Sequence, residues 1–194
     1  VTLLTVVRHG QTDWNLDRRI QGATDIPLND TGRADAKAAA AVLSGGSYDA
    51  IYASPLLRAT ETAQIIAREL GLAEPAMTRG MRERHFGDGE GLHVDDYLAR
   101  YGDWHAVVPQ AETLVQVGER AMDSLDRIVR ASRRRSAPRA ESLIVVSHGG
   151  VIRALLMHAS GGTLPREGDV LRNGSVHRFI AERGTIRLLE STPA

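Results

Sequence analysis

Arg8-His9-Gly10 follows an apolar, β-branched run, Thr2 to Val7, and Ser147-His148-Gly149-Gly150 ends a second such run that begins at Ser142. A third segment, Ser54-Pro55-Leu56-Leu57-Arg58, follows the short run Asp49 to Ala53. All three runs read as strands, and the first and last read as buried ones. Open α/β sheets bind ligands beyond the carboxyl ends of their strands. Three strand ends would then present two arginines and two histidines to one crevice. That set suits a phosphomonoester, which carries about two negative charges near neutral pH. Guanidinium forks bind its oxygens bidentately and stay charged at any usable pH. A neutral imidazole can attack phosphorus, and a second, protonated imidazole can stabilise the equatorial oxygens. Arg58 falls in the first turns of a helix, where unpaired N–H groups and the dipole also favour an anion.

The elements that must hold these groups alternate between strand and helix. Asn29 reads as the N-cap of a helix that runs through an alanine-rich stretch to Ser44 and stops at Gly45-Gly46. Ser54 followed by Pro55 reads as the N-cap and first position of a second helix, with Leu56, Ala59, Ala63, Ile66 and Leu70 on one face and Gly71 closing it. Residues 11–28 and 80–92 read as loops, 76–78 as a short strand and 94–101 as a short helix. Thr113 to Gln116 matches a capping box, opening a helix with Leu114, Val117, Ala121, Leu125 and Ile128 at helical spacing. Arg133 to Arg139 reads as a charged linker. A last helix runs from Gly149 to about His158, and strands at 175–181 and 185–189 form a hairpin through Arg183-Gly184. The pattern predicts one domain over 1–194: a three-layer α/β/α sandwich around a mixed, mostly parallel sheet.

Composition narrows the function classes. Lys plus Arg and Asp plus Glu are 24 each, so no basic excess points to nucleic acid. The chain has no cysteine, which excludes disulfides and thiolate metal sites and fits a reducing cytoplasm. Neither a His-Glu-x-x-His pair nor a calcium-loop pattern occurs. The apolar run Val1 to Val7 is too short for a signal core with flanks or for a membrane span. Trp14 and Trp104 read as packing residues, and His85, His93, His105, His158 and His177 as surface or packing histidines, with His85 able to reach a substrate.

Five segments, in order, resemble the histidine phosphatase (phosphoglycerate mutase-like) superfamily. They are Val7-Arg-His-Gly-Gln-Thr-Asp-Trp-Asn15, Gln21-Gly22 with Asp25-Ile-Pro-Leu28, Ala53 to Ala63, Arg82-Glu-Arg-His-Phe-Gly87 with Glu90-Gly91, and Ser147-His-Gly-Gly-Val-Ile-Arg153. The resemblance implies a phosphohistidine formed on His9, with Arg8, Arg58, His148 and Asn15 on the phosphoryl oxygens. It implies Glu83 as general acid and then base, and Gln21, Gly22 and Gly149 at the substrate. It implies no metal and no cofactor, since the protein supplies the cations. The expected activity is that of a histidine acid phosphatase-type phosphoric monoester hydrolase in the cytoplasm, a monomer or homodimer acting on a small phosphorylated metabolite. Phosphoglycerate mutase is the alternative, and a non-catalytic phosphate-binding module a lesser one. The chain's length of 194 residues and the Gly89-Glu90-Gly91 turn favour the hydrolase, whereas Glu83-Arg84-His85 looks like the mutase acid loop. Gln110-Ala111 stands where many relatives have two glycines before Glu112, which puts the local loop shape in question.

Overall fold

The computed structural model describes residues 1–104, 106–166, 168–182 and 184–191. His105 and Arg183 lie outside the described residues. Strands β1 (Thr2–Arg8), β2 (Ala50–Ala53), β3 (Ala76–Met77), β4 (Ser142–Ser147), β5 (Val176–Glu182) and β6 (Thr185–Ser191) form one sheet, in the order β3-β2-β4-β1-β5-β6. The first four of that order run parallel, and β5 is antiparallel to both β1 and β6. This is the mixed, mostly parallel sheet that the sequence predicts.

Strands β1 and β4 lie in the middle, covered on both faces, which is why they read as unbroken apolar runs. Alternate residues go to opposite layers. Val7, Ile144 and Val146 pack with Ala39, Ala40, Ala59, Ala63 and Ile66 of α2 (Asp30–Leu43) and α3 (Leu57–Leu70). Leu4, Val6, Leu143 and Val145 pack with Val117, Leu125, Ile152 and Leu155 of α5 (Leu114–Ser136) and α6 (Gly149–Ala159). A small third cluster of Ile20, Tyr97 and Val108 lies under the 80–112 region and includes α4 (Val94–Tyr101).

The register sets the site. Arg8 lies opposite Ser147, and Ala53 lies opposite Val146. His9, Ser54 and His148 therefore leave three neighbouring strands at the same level.

Three elements depart from the sequence reading. The 11–28 segment is not all loop: α1 (Asp13–Leu16) is held by a capping box between Thr12 and Asn15. The helix expected from Pro55 starts at Leu57, and Leu56 occupies the cap position without a side-chain bond. Ser54 still accepts from the Leu56 N–H at 3.3 Å, ahead of the helix, while its hydroxyl lies 2.7 Å from His148 Nε2. The expected linker after residue 132 is helix as far as Ser136, because the buried face continues through Val129 and Ser132 and arginine is a good helix former. The caps at Asn29 and Thr113 are as predicted.

Candidate active site

His9 is buried and fixed at both ends of its backbone. Its N–H donates to Ser147 O at 3.0 Å, and Asn173 Nδ2 donates to its carbonyl at 2.9 Å. The ring Nδ1 lies 2.7 Å from Gly10 O. A carbonyl can only accept, so Nδ1 carries the proton and Nε2 keeps its lone pair. Burial, reinforced by the charges of Arg58 and Arg8, holds the imidazole pKa well below its ordinary value. The ring is thus neutral and oriented, as a nucleophile toward phosphorus must be.

The ring of His148 lies 5.0 Å from that of His9, centroid to centroid. Ser54 Oγ accepts from the Leu56 N–H at 3.3 Å, which frees its own proton for His148 Nε2. The imidazole proton then sits on Nδ1, which is buried without a partner. Burial, with Arg58, His9 and Arg8, pushes this pKa well down too. These surroundings favour a neutral imidazole, and a phosphate beside it would act in the opposite direction, toward the protonated ring of the sequence reading.

Arg58 is fully buried; its Nη1 donates to Thr24 O at 2.9 Å and its Nη2 to Gly22 O at 2.8 Å. Arg8 Nη1 donates to Leu171 O. In both arginines Nε is buried and unpartnered. Burial lowers both guanidinium pKa values, and the carboxylate of Glu83 opposes it. Each unpaired buried donor costs about 1–3 kcal/mol. Three of them, Arg8 Nε, Arg58 Nε and His148 Nδ1, belong to the two arginines whose charges act on His9 and to the ring beside it. The α3 N-terminus contributes less than expected, because Asp25 Oδ1 already accepts from the Leu57 N–H at 2.7 Å.

Glu83 closes the other side. Its Oε2 accepts from the Gly150 N–H at 3.2 Å and its Oε1 from the Arg84 N–H at 2.8 Å. This puts the carboxylate at the first turn of α6, one residue beyond the Gly149 that follows His148. A Cβ on Gly150 would lie 2.4 Å from Glu83 Oε1, so a larger residue there would push the carboxylate out of this position. Gly149 lies against Arg8, where a Cβ would stand 3.5 Å from Nε.

The remaining expected residues brace the site. Asn15 Oδ1 accepts from the Thr12 N–H at 3.1 Å and from Asn173 Nδ2 at 3.3 Å, so its amide NH₂ is what it can offer an anion. Gln21, expected at the entrance, is buried with its Oε1 2.9 Å from Thr12 Oγ1. Gly22 adopts φ 54° and gives its carbonyl to Arg58. Outward from Glu83 opens a cleft of about 680 Å³ lined by Ala23, Arg82, His85, Gln110, Gln116 and Arg120 among others. A separate hollow of about 380 Å³, among Leu3, Val42, Tyr48 and Leu189, carries none of these groups. Among the described residues no cluster of three His, Cys, Asp or Glu could hold a metal ion, and no helix is long and apolar enough to cross a membrane.

Residues 4–192 match the model of the histidine phosphatase superfamily (branch 1). The chain belongs to this superfamily. It is 39% identical over 162 residues to the uncharacterized phosphatase PhoE of Bacillus subtilis (strain 168), covering 84% of this chain and 79% of that one. It is 35% identical over 164 residues to the 2,3-bisphosphoglycerate-dependent phosphoglycerate mutase of Azorhizobium caulinodans, covering 80% of each. Among solved structures, a mycobacterial glucosyl-3-phosphoglycerate phosphatase in complex with VO3 superposes with a TM-score of 0.80 at 28% identity, over 97% of both chains. Phosphatases and mutases of the superfamily thus stand side by side among the relatives.

This histidine phosphatase domain also uses residues that sequence reasoning missed. Arg120 grips Glu112 with two bonds, Nε to Oε1 at 2.8 Å and Nη2 to Oε2 at 2.7 Å. It also donates to the carbonyls of Gly80 and Arg82 at 2.8 Å and of Glu83 at 3.0 Å. Burial pushes the Glu112 pKa up, but the bonds from Arg120 and the His85 N–H carry it below its ordinary value. Glu90 accepts from the N–H groups of Ala23, Thr24 and Phe86, so it stitches the Gly22 loop to the acid loop. A charged residue beside the apolar stripe of α5, Arg120 between Val117 and Ala121, was the signal that could have found the first.

Proposed function

We propose that this chain is a cytoplasmic phosphomonoesterase that hydrolyses a small phosphorylated metabolite through a phosphohistidine on His9. The observation that carries the reading is the set of unpaired buried donors, Arg8 Nε, Arg58 Nε and His148 Nδ1, on residues that act on a neutral imidazole whose free Nε2 is fixed by the Nδ1 bond to Gly10. The phosphoryl group sits among these donors and the amide of Asn15. Nε2 of His9 attacks phosphorus as the bond to the alcohol oxygen breaks, and Glu83 gives that oxygen its proton. Glu83 then takes a proton from water, which attacks phosphorus and breaks the P–N bond. The donors favour both steps because negative charge shifts among the oxygens they hold.

Hydrolysis is favoured over mutase chemistry by the fate of Arg84. This residue belongs to the mutase-like Glu83-Arg84-His85 stretch, yet its guanidinium donates to Glu112 O and Trp104 O, both at 2.7 Å, and stacks 4.7 Å from the Phe86 ring centre. It is spent on the loop's own structure, leaving fewer cations for a phosphoglycerate carboxylate.

The test is phosphorus NMR of the protein with a panel of phosphate esters, 3-phosphoglycerate primed with 2,3-bisphosphoglycerate among them. Inorganic phosphate is expected. His9→Ala should lose turnover by at least about three orders of magnitude and lose acid-labile phosphate labelling. Formation of 2-phosphoglycerate would make the protein a mutase, and near-normal rates in His9→Ala would sink the phosphohistidine.

A further inference from the structure

We propose that the cleft beside Glu83 takes small, hydroxylated, non-aromatic leaving groups, and that Gln110 selects them. This rests on the phosphomonoesterase reading above. The first argument is what the cleft lacks. Among the described residues its lining contains no Phe, Tyr or Trp and no aliphatic side chain larger than alanine; Ala23 and Ala111 are the apolar members. An aromatic or acyl group entering it would lose water and find little to replace it. A hydroxylated group would meet the carboxamides of Gln110 and Gln116, the guanidinium of Arg82 and the imidazole of His85. The nearby aromatic rings are taken up by one another: Tyr97 and Trp104 stack at 5.2 Å, with Phe86 edge-on to both.

The second argument is the backbone of Gln110. Its φ is 61°, in the left-handed region that glycine adopts freely and other residues enter at a cost. The surroundings dictate that conformation. The Ala111 N–H donates to Val108 O at 3.1 Å, and the Asp88 N–H to Pro109 O at 3.3 Å. The Glu112 N–H donates to His85 O at 2.8 Å, and His85 Nδ1 lies 2.9 Å from Gln110 O. Gly87 presses so close that a Cβ on it would meet Pro109 O at 2.0 Å. Glycine at 110 would fit this turn without strain, so the turn itself does not call for glutamine. A side chain held in a strained conformation on a cleft wall points to a use for that side chain, and the use at hand is a carboxamide that hydrogen-bonds a leaving-group hydroxyl.

The experiment compares glycerol 3-phosphate with benzyl phosphate, whose leaving group is also a primary alcohol but apolar. The parent protein should show the higher kcat/KM on glycerol 3-phosphate. In Gln110→Gly the ratio of the two kcat/KM values should fall about three- to tenfold, the share of one neutral hydrogen bond, mainly through KM, with a melting temperature no lower than the parent's. Gln110→Asn tolerates the same φ and keeps a shorter carboxamide, so its ratio should lie between the two. A parent that prefers benzyl phosphate, or a ratio unmoved by Gln110→Gly, would overturn the proposal. If the parent hydrolyses no ester at all, the phosphomonoesterase reading fails, and this one falls with it.

Discussion

Arg58 shows how one side chain can serve both structure and chemistry. Two of its nitrogens bind the carbonyls of Gly22 and Thr24, and the third, Nε, is buried without a partner and is the one the proposed function gives to the phosphate. A lysine has one nitrogen and cannot divide it in this way. Arg58→Lys should therefore lower kcat/KM by about two orders of magnitude, since bonds to charged groups contribute about 1.5–3 kcal/mol each. The melting temperature should fall as well, because the Gly22–Thr24 loop loses its anchor. Steady-state kinetics with a thermal melt checks both, and near-parental kinetics would remove Arg58 from the phosphate pocket. The groups proposed to hold the phosphate, Arg8, His9, Arg58 and His148, were legible in the sequence because each sits in a short motif at a strand end. Their partners were not. Ser54 orients His148 across 94 residues of chain and Asn173 holds His9 O across 164, and no local pattern encodes pairings of that range.

Between elements, the decisive contact is backbone on backbone. The end of β1 meets the first turn of α2 so closely that a Cβ on Gly10 would stand 2.1 Å from Gly32 O, and one on Gly32 would stand 2.0 Å from Gln11 O. Gly10 N–H also donates to Thr62 Oγ1 of α3 at 3.0 Å, so both helices lock the residue that follows His9. Glycine to alanine in an exposed helix interior stabilises by about 1 kcal/mol. Here the sign should reverse: Gly32→Ala must push α2 off β1, at about 1–3 kcal/mol, and should lower kcat by displacing His9. Urea unfolding beside a rate assay reads this, and a neutral or stabilising result would show the contact to be soft. Helices bounded by local signals, such as the Asn29 cap and the Thr113 capping box, were legible. The start of α3 and the end of α5 were not, because tertiary contacts bear on them: Ser54 is shared between Leu56 and His148, and α5 is anchored by buried Ser132 just before the charge run.

For the molecule as a whole, alternating strands and helices made the layered, mostly parallel sheet legible, but not the strand order. That order places β4 between β1 and β2 and adds β5 antiparallel at the far side of β1. It also buries a histidine that has no part in the proposed chemistry. His177 on β5 is fully buried, its ring nitrogens 3.1 Å from Ser175 Oγ and 2.9 Å from Ser191 Oγ, and burial lowers its pKa to about 4. In the unfolded chain the same group titrates near 6.5. Below that pH the unfolded state binds the proton and the folded state does not, so stability is lost as pH falls from about 6.5 toward 4. His9 and His148, whose pKa values are lowered by the same burial, add to the loss with the same sign. Between pH 7 and pH 5, His177 alone should account for about 2 kcal/mol. Urea unfolding at the two pH values measures the total, and His177→Gln should flatten the dependence by about that amount whatever it does to stability at pH 7. An unchanged slope in His177→Gln would mean that the folded ring takes up its proton at the same pH as the unfolded one, the Ser175 and Ser191 hydroxyls accepting from both nitrogens once it is charged.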